Sequence, residues 1–296
     1  MVSENRRIKH NLNNMKKITI LIISLTIAFG SCSKDENSTG SITIVSGNDP
    51  NFTILANTDS GMTKFNRKVI VFGVDIYAAA GVEDSKLLHA ANIMAQYIDN
   101  NEDGVIDNQL VIEKMLENKA FLYMWKTEND HLSTEPSSRS GQDLGADETV
   151  PVWHTNGQTG RFDASLEEIW HIINLAGHAN AYPNVFGLEK GTKLADAMDI
   201  ARGGYFETIP TTYPSEAWYS YDDKTCGYSD CQTIEYLYWS MSSILGAQKN
   251  RLNDIVDEWK LNTPALVKNK DVAIYELLTD PLYKFPTVLP DGTYRR

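Results

Sequence analysis

Cysteine is nearly missing from this 296-residue chain, which has only Cys32, Cys226 and Cys231. No histidine lies close in sequence to the Cys226–Cys231 pair, so a thiolate-rich zinc module is not at hand. Positive charge is scarce too: 27 Lys and Arg stand against 39 Asp and Glu, a net charge of −12. That balance argues against nucleic acid, whose backbone needs cationic partners, and is compatible with binding of cations. Long apolar runs are absent; Ile18–Phe29 is too short for a comfortable membrane span. Also missing are the metallopeptidase string HExxH and its inverse, a GxSxG nucleophile elbow, a phosphate-binding glycine loop and a dinucleotide fingerprint.

What is present begins with an address. Met15, Lys16 and Lys17 open a basic segment, Ile18–Phe29 is apolar, and the small residues Gly30 and Ser31 precede Cys32. This is the layout of an export signal, with residues 1–14 an upstream extension. The run FGSC at Phe29–Cys32 resembles a bacterial lipobox, with Phe29 where Leu is usual. Ser33, Lys34, Asp35 and Glu36 resemble the Lys-plus-acidic signal of Bacteroidota surface lipoproteins. The resemblance covers the leader and the first mature residues only. It implies a protein tethered through lipidated Cys32 to the outer face of the outer membrane. Residues 1–31 would be a signal peptide, 32–41 a tether and 42–296 a single compact domain, monomeric and extracellular. Without residues 1–31, which carry five basic side chains and one acidic one, the net charge falls from −12 to −16. In that oxidising setting Cys226 and Cys231 are expected to form a disulfide closing a small loop.

The fold expected is α+β, mainly helical with a small N-terminal β-sheet. Ile42–Val45, Phe52–Leu55 and Lys68–Ala79 read as extended; VIVFGVDIYA is too continuous for an exposed hairpin edge. Helical spacing marks Asp84–Ile98, Gln109–Asn118, Ser165–Ala176 and Lys193–Ala201, and a long pattern from Asp230 to about Trp259. Thr263–Pro264 suits a helix start, and Ala273–Leu278 reads as a further turn or two. Phe121–Trp125 reads as a strand and Glu128–Pro151 as a long surface loop.

Two segments carry chemistry. The first, Asp99 to Asp107, resembles a calcium loop: Asp99, Asn101 and Asp103 present oxygens at alternating positions, Gly104 turns, Val105 offers its carbonyl and Asp107 completes the run. It lies between two helical patterns, as in an EF-hand. The twelfth position holds Leu110 instead of the bidentate Glu, and Glu113 is the available replacement. A Ca²⁺ ion there would brace the fold.

The second is SLEEIWHIINLAGHANAYP. On a helix, Glu167 or Glu168, His171 and Asn174 share a stripe. Two imidazoles and a carboxylate suit Zn²⁺ or Fe²⁺ with one position left open. His171 and His178 would stand about 10 Å apart on an unbroken helix, so both can serve one metal only if Gly177 ends the helix and turns His178 back. Glu235 is the best distant carboxylate, since it sits within the apolar pattern IEYLYW; Asp199 is second. Whichever of Glu167 and Glu168 does not ligate would be general base or would orient His171. His154 is a further candidate, as transition-state donor. Competing structural roles are a capping box at Ser165/Glu168, a helix-face His171 and a helix-terminal His178.

These residues point to a metal-dependent hydrolase, a zinc metallopeptidase acting on extracellular peptides. The rival is a non-enzymatic lipoprotein gripping glycan or peptide through Tyr213, Trp218, Tyr219 and Tyr221 in TTYPSEAWYSYDD.

Overall fold

Apolar, β-branched and aromatic residues gather between Arg67 and Trp125, and there the chain builds its sheet. The computed structural model describes residues 51–133, 136 and 138–295; the leader, Cys32, the tether and the expected strand at Ile42–Val45 lie outside them. The sheet has five strands in the order β1 (Leu55–Ala56), β2 (Arg67–Val71), β3 (Val74–Ala78), β4 (Phe121–Trp125) and β5 (Gly141–Gly145). The first three strands are antiparallel neighbours, and β3–β4 and β4–β5 are parallel.

The Lys68–Ala79 run is two strands, not one. Phe72 and Gly73 both take positive φ, 48° and 89°, as a tight two-residue hairpin turn requires. The hairpin escapes the edge problem because β3 pairs onward with β4, and Val69, Val71, Val74 and Ile76 are buried. A second correction falls in Glu128–Pro151, which contains β5. Gln142 and Leu144 are buried there although the surrounding sequence is polar.

Helices fill the rest. α1 (Asp84–Ile98) and α2 (Gln109–Glu117) form the crossover between β3 and β4. Leu87, Ala91, Met94 and Ala95 of α1 are buried at helical spacing, and Asn108 caps α2 by accepting the Val111 amide. After β5 come α3 (Val152–Thr155) and α4 (Ser165–Ile172). α4 does not stop at Gly177. It runs on through a π-helical stretch, Ile173–His178, into α5 (Ala179–Ala181). Gly177 is there for close approach: a Cβ on it would meet Val111 Cγ1 at 2.7 Å and Met115 Cγ at 3.1 Å.

α6 (Pro183–Phe186) and α7 (Lys193–Ala201) follow. The long helix expected from Asp230 to Trp259 is broken. A π-helical turn at Tyr228–Gln232, in which Asp230 is itself non-helical, leads into α8 (Thr233–Ile244). A bond from Ala247 N to Ser242 O then closes α8, and only α9 (Leu252–Ile255) follows. α10 (Pro264–Lys270), capped by Thr263, and α11 (Val272–Thr279) complete the set. The architecture is thus α+β, mainly helical, with the sheet in the N-terminal half of the described residues. Among these residues no helix is long and apolar enough to cross a membrane. The Cys226 and Cys231 sulfurs are brought together, with their Cα atoms 5.7 Å apart, inside the range for a disulfide.

Candidate metal centre

α4 and α8 pack together, and their contact puts His171 against Glu235. Glu167 and His171 stand one turn apart on α4, so both face that contact. One ligand atom from each of Glu167, His171 and Glu235 lies within 4.8 Å of the others. His171 Nε2 is 3.7 Å from Glu235 Oε2, and on the other side of the ring Nδ1 is 3.5 Å from Glu168 Oε2. His171 is 2% exposed, and neither ring nitrogen has a hydrogen-bond partner. Burial lowers its pKa to about 4, so the ring is neutral at pH 7 and able to ligate.

The surroundings are strongly acidic. Burial, and then the charge of Glu168, raises Glu167 to about 7; a hydrogen bond from Tyr238 and the charges of His171 and Arg251 oppose the rise. Glu168 and Glu235 are held well above the usual carboxylate range, each by burial first and then by neighbouring acids. Glu258, in the turn after α9, is pushed up to about 8 by burial and by the charges of Glu167 and Asp222. Carboxylates this crowded and this dry lack positive charge. A divalent cation would supply it, and the unpartnered imidazole supplies the nitrogen ligand. The donor set therefore fits Zn²⁺ or Fe²⁺.

A second cluster joins His89, His154 and Asp163, but its distances speak differently. Asp163 Oδ2 accepts from His89 Nε2 at 2.7 Å, His154 Nε2 at 2.8 Å and Ser165 Oγ at 2.6 Å, and Oδ1 accepts from Val150 N at 2.8 Å. Two ligands of one tetrahedral zinc sit roughly 3.3 Å apart, whereas 2.7–2.8 Å is hydrogen-bond length. Asp163 is fully buried and is held far below the usual carboxylate range: against its burial, the bonds from His154 and His89 prevail. We read this as a clasp joining α1, α3 and the start of α4.

Of the expected site residues, Glu167, His171 and Glu235 come together, with Glu168 behind the His171 ring. His178 does not join them, because the unbroken helix carries it onward past Gly177. Its ring stacks on Phe285 at 4.4 Å and 13°, with Trp170 and Phe186 nearby, and burial lowers its pKa to about 3. His154 is engaged in the clasp. Asp199 lies beside Tyr228 and Arg202. The capping box is not formed: Ser165 Oγ turns to Asp163, and Glu168 accepts from Gln142 Nε2 at 2.6 Å. Glu258, Tyr238, Gln248 and Arg251 were not expected. Tyr238 had a signal, since it stands three residues after Glu235 and so shares its helix face; Glu258 had none.

In the Asp99–Asp107 loop the carboxylates are turned inward on the backbone. Asp99 accepts from Gly104 N at 2.8 Å and Asp103 N at 3.2 Å, Asp103 from Val105 N at 2.8 Å, and Asp107 from Asn100 N at 2.7 Å. Asn101 Oδ1 accepts from Asp103 N at 3.2 Å. Burial raises Asp107, and Asp99 and Asp103 add to the rise. Glu113 does not reach the loop, for it accepts from Gln109 on α2.

The aromatic stretch packs inward. Tyr219 is fully buried and donates to Gln232 O at 2.7 Å, Tyr213 donates to Tyr221 O at 3.0 Å, and Trp218 Nε1 donates to Asp271 at 2.7 Å. No family model matches the chain, no curated protein matches it, and no solved structure matches it.

Proposed function

We propose that this protein is a metal-dependent hydrolase that binds one Zn²⁺ or Fe²⁺ ion through Glu167, His171 and Glu235. The observation that carries the reading is His171: buried, neutral and unpartnered, it lies between carboxylates from two helices. Bound there, such an ion supplies Lewis acidity and lowers the pKa of water. Glu168, 3.5 Å from Nδ1, is placed to hold the ring's other nitrogen and fix its tautomer. Glu258, partly exposed and kept in its acid form at neutral pH by burial and by the charges of Glu167 and Asp222, is the group to give a proton to the leaving group. Extracellular peptides are the substrate class to test first, in keeping with the export leader and the lipid anchor at Cys32. The Asp99–Asp107 loop supports a bound Ca²⁺ as a brace. The inward packing of the Tyr213–Tyr221 rings gives the aromatic-groove alternative less support.

The test is metal content by mass spectrometry of the purified protein and of its His171→Ala and Glu235→Gln variants, followed by hydrolysis assays on a peptide library. About one equivalent of zinc or iron in the wild type, lost in both variants, is expected. Wild-type protein that takes up neither metal from a zinc- or iron-supplemented buffer would sink the reading.

A further inference from the structure

The strand β5, in a segment whose sequence reads as a loop, reaches the metal centre through one side chain. Gln142 stands on it opposite Leu122 of β4, and α4 packs across both strands. Gln142 is 2% exposed, so its amide needs partners inside the protein. Its nitrogen donates to Glu168 Oε2 at 2.6 Å. The same Oε2 lies 3.5 Å from His171 Nδ1. That is longer than a hydrogen bond, yet at this distance an N–H dipole still prefers to face a carboxylate oxygen, and a ring lone pair is still repelled by it. On the other side of the ring, Nε2 is 3.7 Å from Glu235 Oε2. The two carboxylates differ in how they are held. Glu168 is tied by Gln142, whereas the Glu235 carboxylate has no hydrogen-bond partner among the described residues and is free to turn. A neutral imidazole has a single N–H, and the group facing one nitrogen decides which nitrogen keeps it.

We infer that Gln142 is a positioning residue of the metal centre: it pins Glu168 beside Nδ1 of His171, so the ring keeps its proton there and presents the Nε2 lone pair toward Glu235 and the ion. The inference rests on the metal-site reading and deepens it. A glutamate side chain has several rotatable bonds and two oxygens, so without an outside partner it would not keep one oxygen stationed at the ring. Gln142 supplies that partner from a buried strand, whose backbone is fixed by pairing with β4. Ligating histidines are oriented in this way through their second nitrogen, and loss of an orienting partner costs about 10–100-fold in metal affinity.

Two measurements on the full protein test this. Long-range proton–nitrogen NMR of the metal-free protein reads the tautomer of His171, assigned by comparison with His171→Ala, and competition with a chromophoric chelator reads zinc affinity. Gln142→Met keeps the volume and removes the donor, Glu168→Ala removes the group it holds, and a double variant joins the two. Leu144→Val changes packing on the same face of β5 without touching a polar group. We expect the wild-type ring to carry its proton on Nδ1. Gln142→Met should mix the two tautomers and bind zinc about tenfold more weakly, and Leu144→Val should bind like wild type. In the Glu168→Ala background Gln142→Met should have no further effect, because the two side chains act as one unit. Zinc affinity of Gln142→Met unchanged within about twofold, well under the cost of a lost orienting partner, overturns the role of Gln142 alone. So do losses that add in the double variant, and so does a wild-type ring protonated on Nε2, a result that requires no variant to fold. Wild-type protein that binds no zinc overturns the metal-site reading and the role of Gln142 with it.

Discussion

Histidine 171 and histidine 178 lie seven positions apart and have opposite physical situations. The first is buried among carboxylates and the second is stacked against Phe285. His171→Ala is therefore expected to remove the zinc or iron equivalent. His178→Ala should keep it and lose about 2 kcal/mol of stability through the cavity left behind; metal analysis and urea denaturation of the pair separate the two roles. Glu258→Gln should leave metal content at the wild-type level and lower kcat by about a hundredfold, measured on whichever library peptide is cleaved. Asp163 makes a different prediction. Its folded pKa lies below the ordinary carboxylate value, so its contribution is fully present above about pH 4 and is lost as pH falls below that. Asp163→Asn should cost about 3 kcal/mol at pH 7, and the gap to wild type should close as denaturation is repeated at progressively lower pH. The pairing of His171 with Glu235 was legible because a glutamate inside IEYLYW needs a partner. The place of Glu167 beside His171 was half legible. Its spacing to His171 is that between the two histidines of HExxH, and a search for the literal string passes over it.

Secondary structure was legible wherever local pattern and packing agree. The bounds of Asp84–Ile98, Phe121–Trp125, Lys193–Ala201 and the start at Pro264 follow from periodicity and caps. Three elements were hidden for separate reasons. The Phe72–Gly73 turn sits inside an unbroken apolar run because both strands are buried, so no polar residue announces it. β5 is short and holds Gln142 and Asp143, and it is recruited by pairing along β4. The π-helical stretch at Ile173–His178 preserves helical spacing closely enough that Gly177 reads as a terminus. In fact that glycine lets α2 press against the helix. Gly177→Ala should accordingly destabilise the protein by about 1–3 kcal/mol through overpacking instead of stabilising it as a helical Gly→Ala change in open space would; chemical denaturation gives the sign directly.

On the scale of the whole molecule, the excess of acid is uneven in its effects. Some carboxylates are neutralised locally, as where Lys68 bridges Asp59 and Asp75. Others crowd the α4–α8 contact and the Asp99–Asp107 loop. Calcium should therefore raise the melting temperature, by about 5–10 °C when present at a hundred times its dissociation constant. Asp103→Ala should abolish that rise and leave the zinc equivalent in place; differential scanning calorimetry with and without calcium is the measurement. The loop is also pinned from far along the chain. Tyr294 donates to Asp99, Asp291 and Gly292 donate their amides to Gln96 Oε1 at 2.9 and 2.8 Å, and Thr287 and Val288 donate to Asn100, each at 2.8 Å. Asn51 in turn donates to Tyr294 O at 2.6 Å across 243 positions. These bonds set an order of events. The residues that clamp Asp99 all follow α11 in the chain, so the loop cannot be clamped until the end of the chain is in place. Contacts of such long range close slowly, which makes this clamp an expected late step of folding.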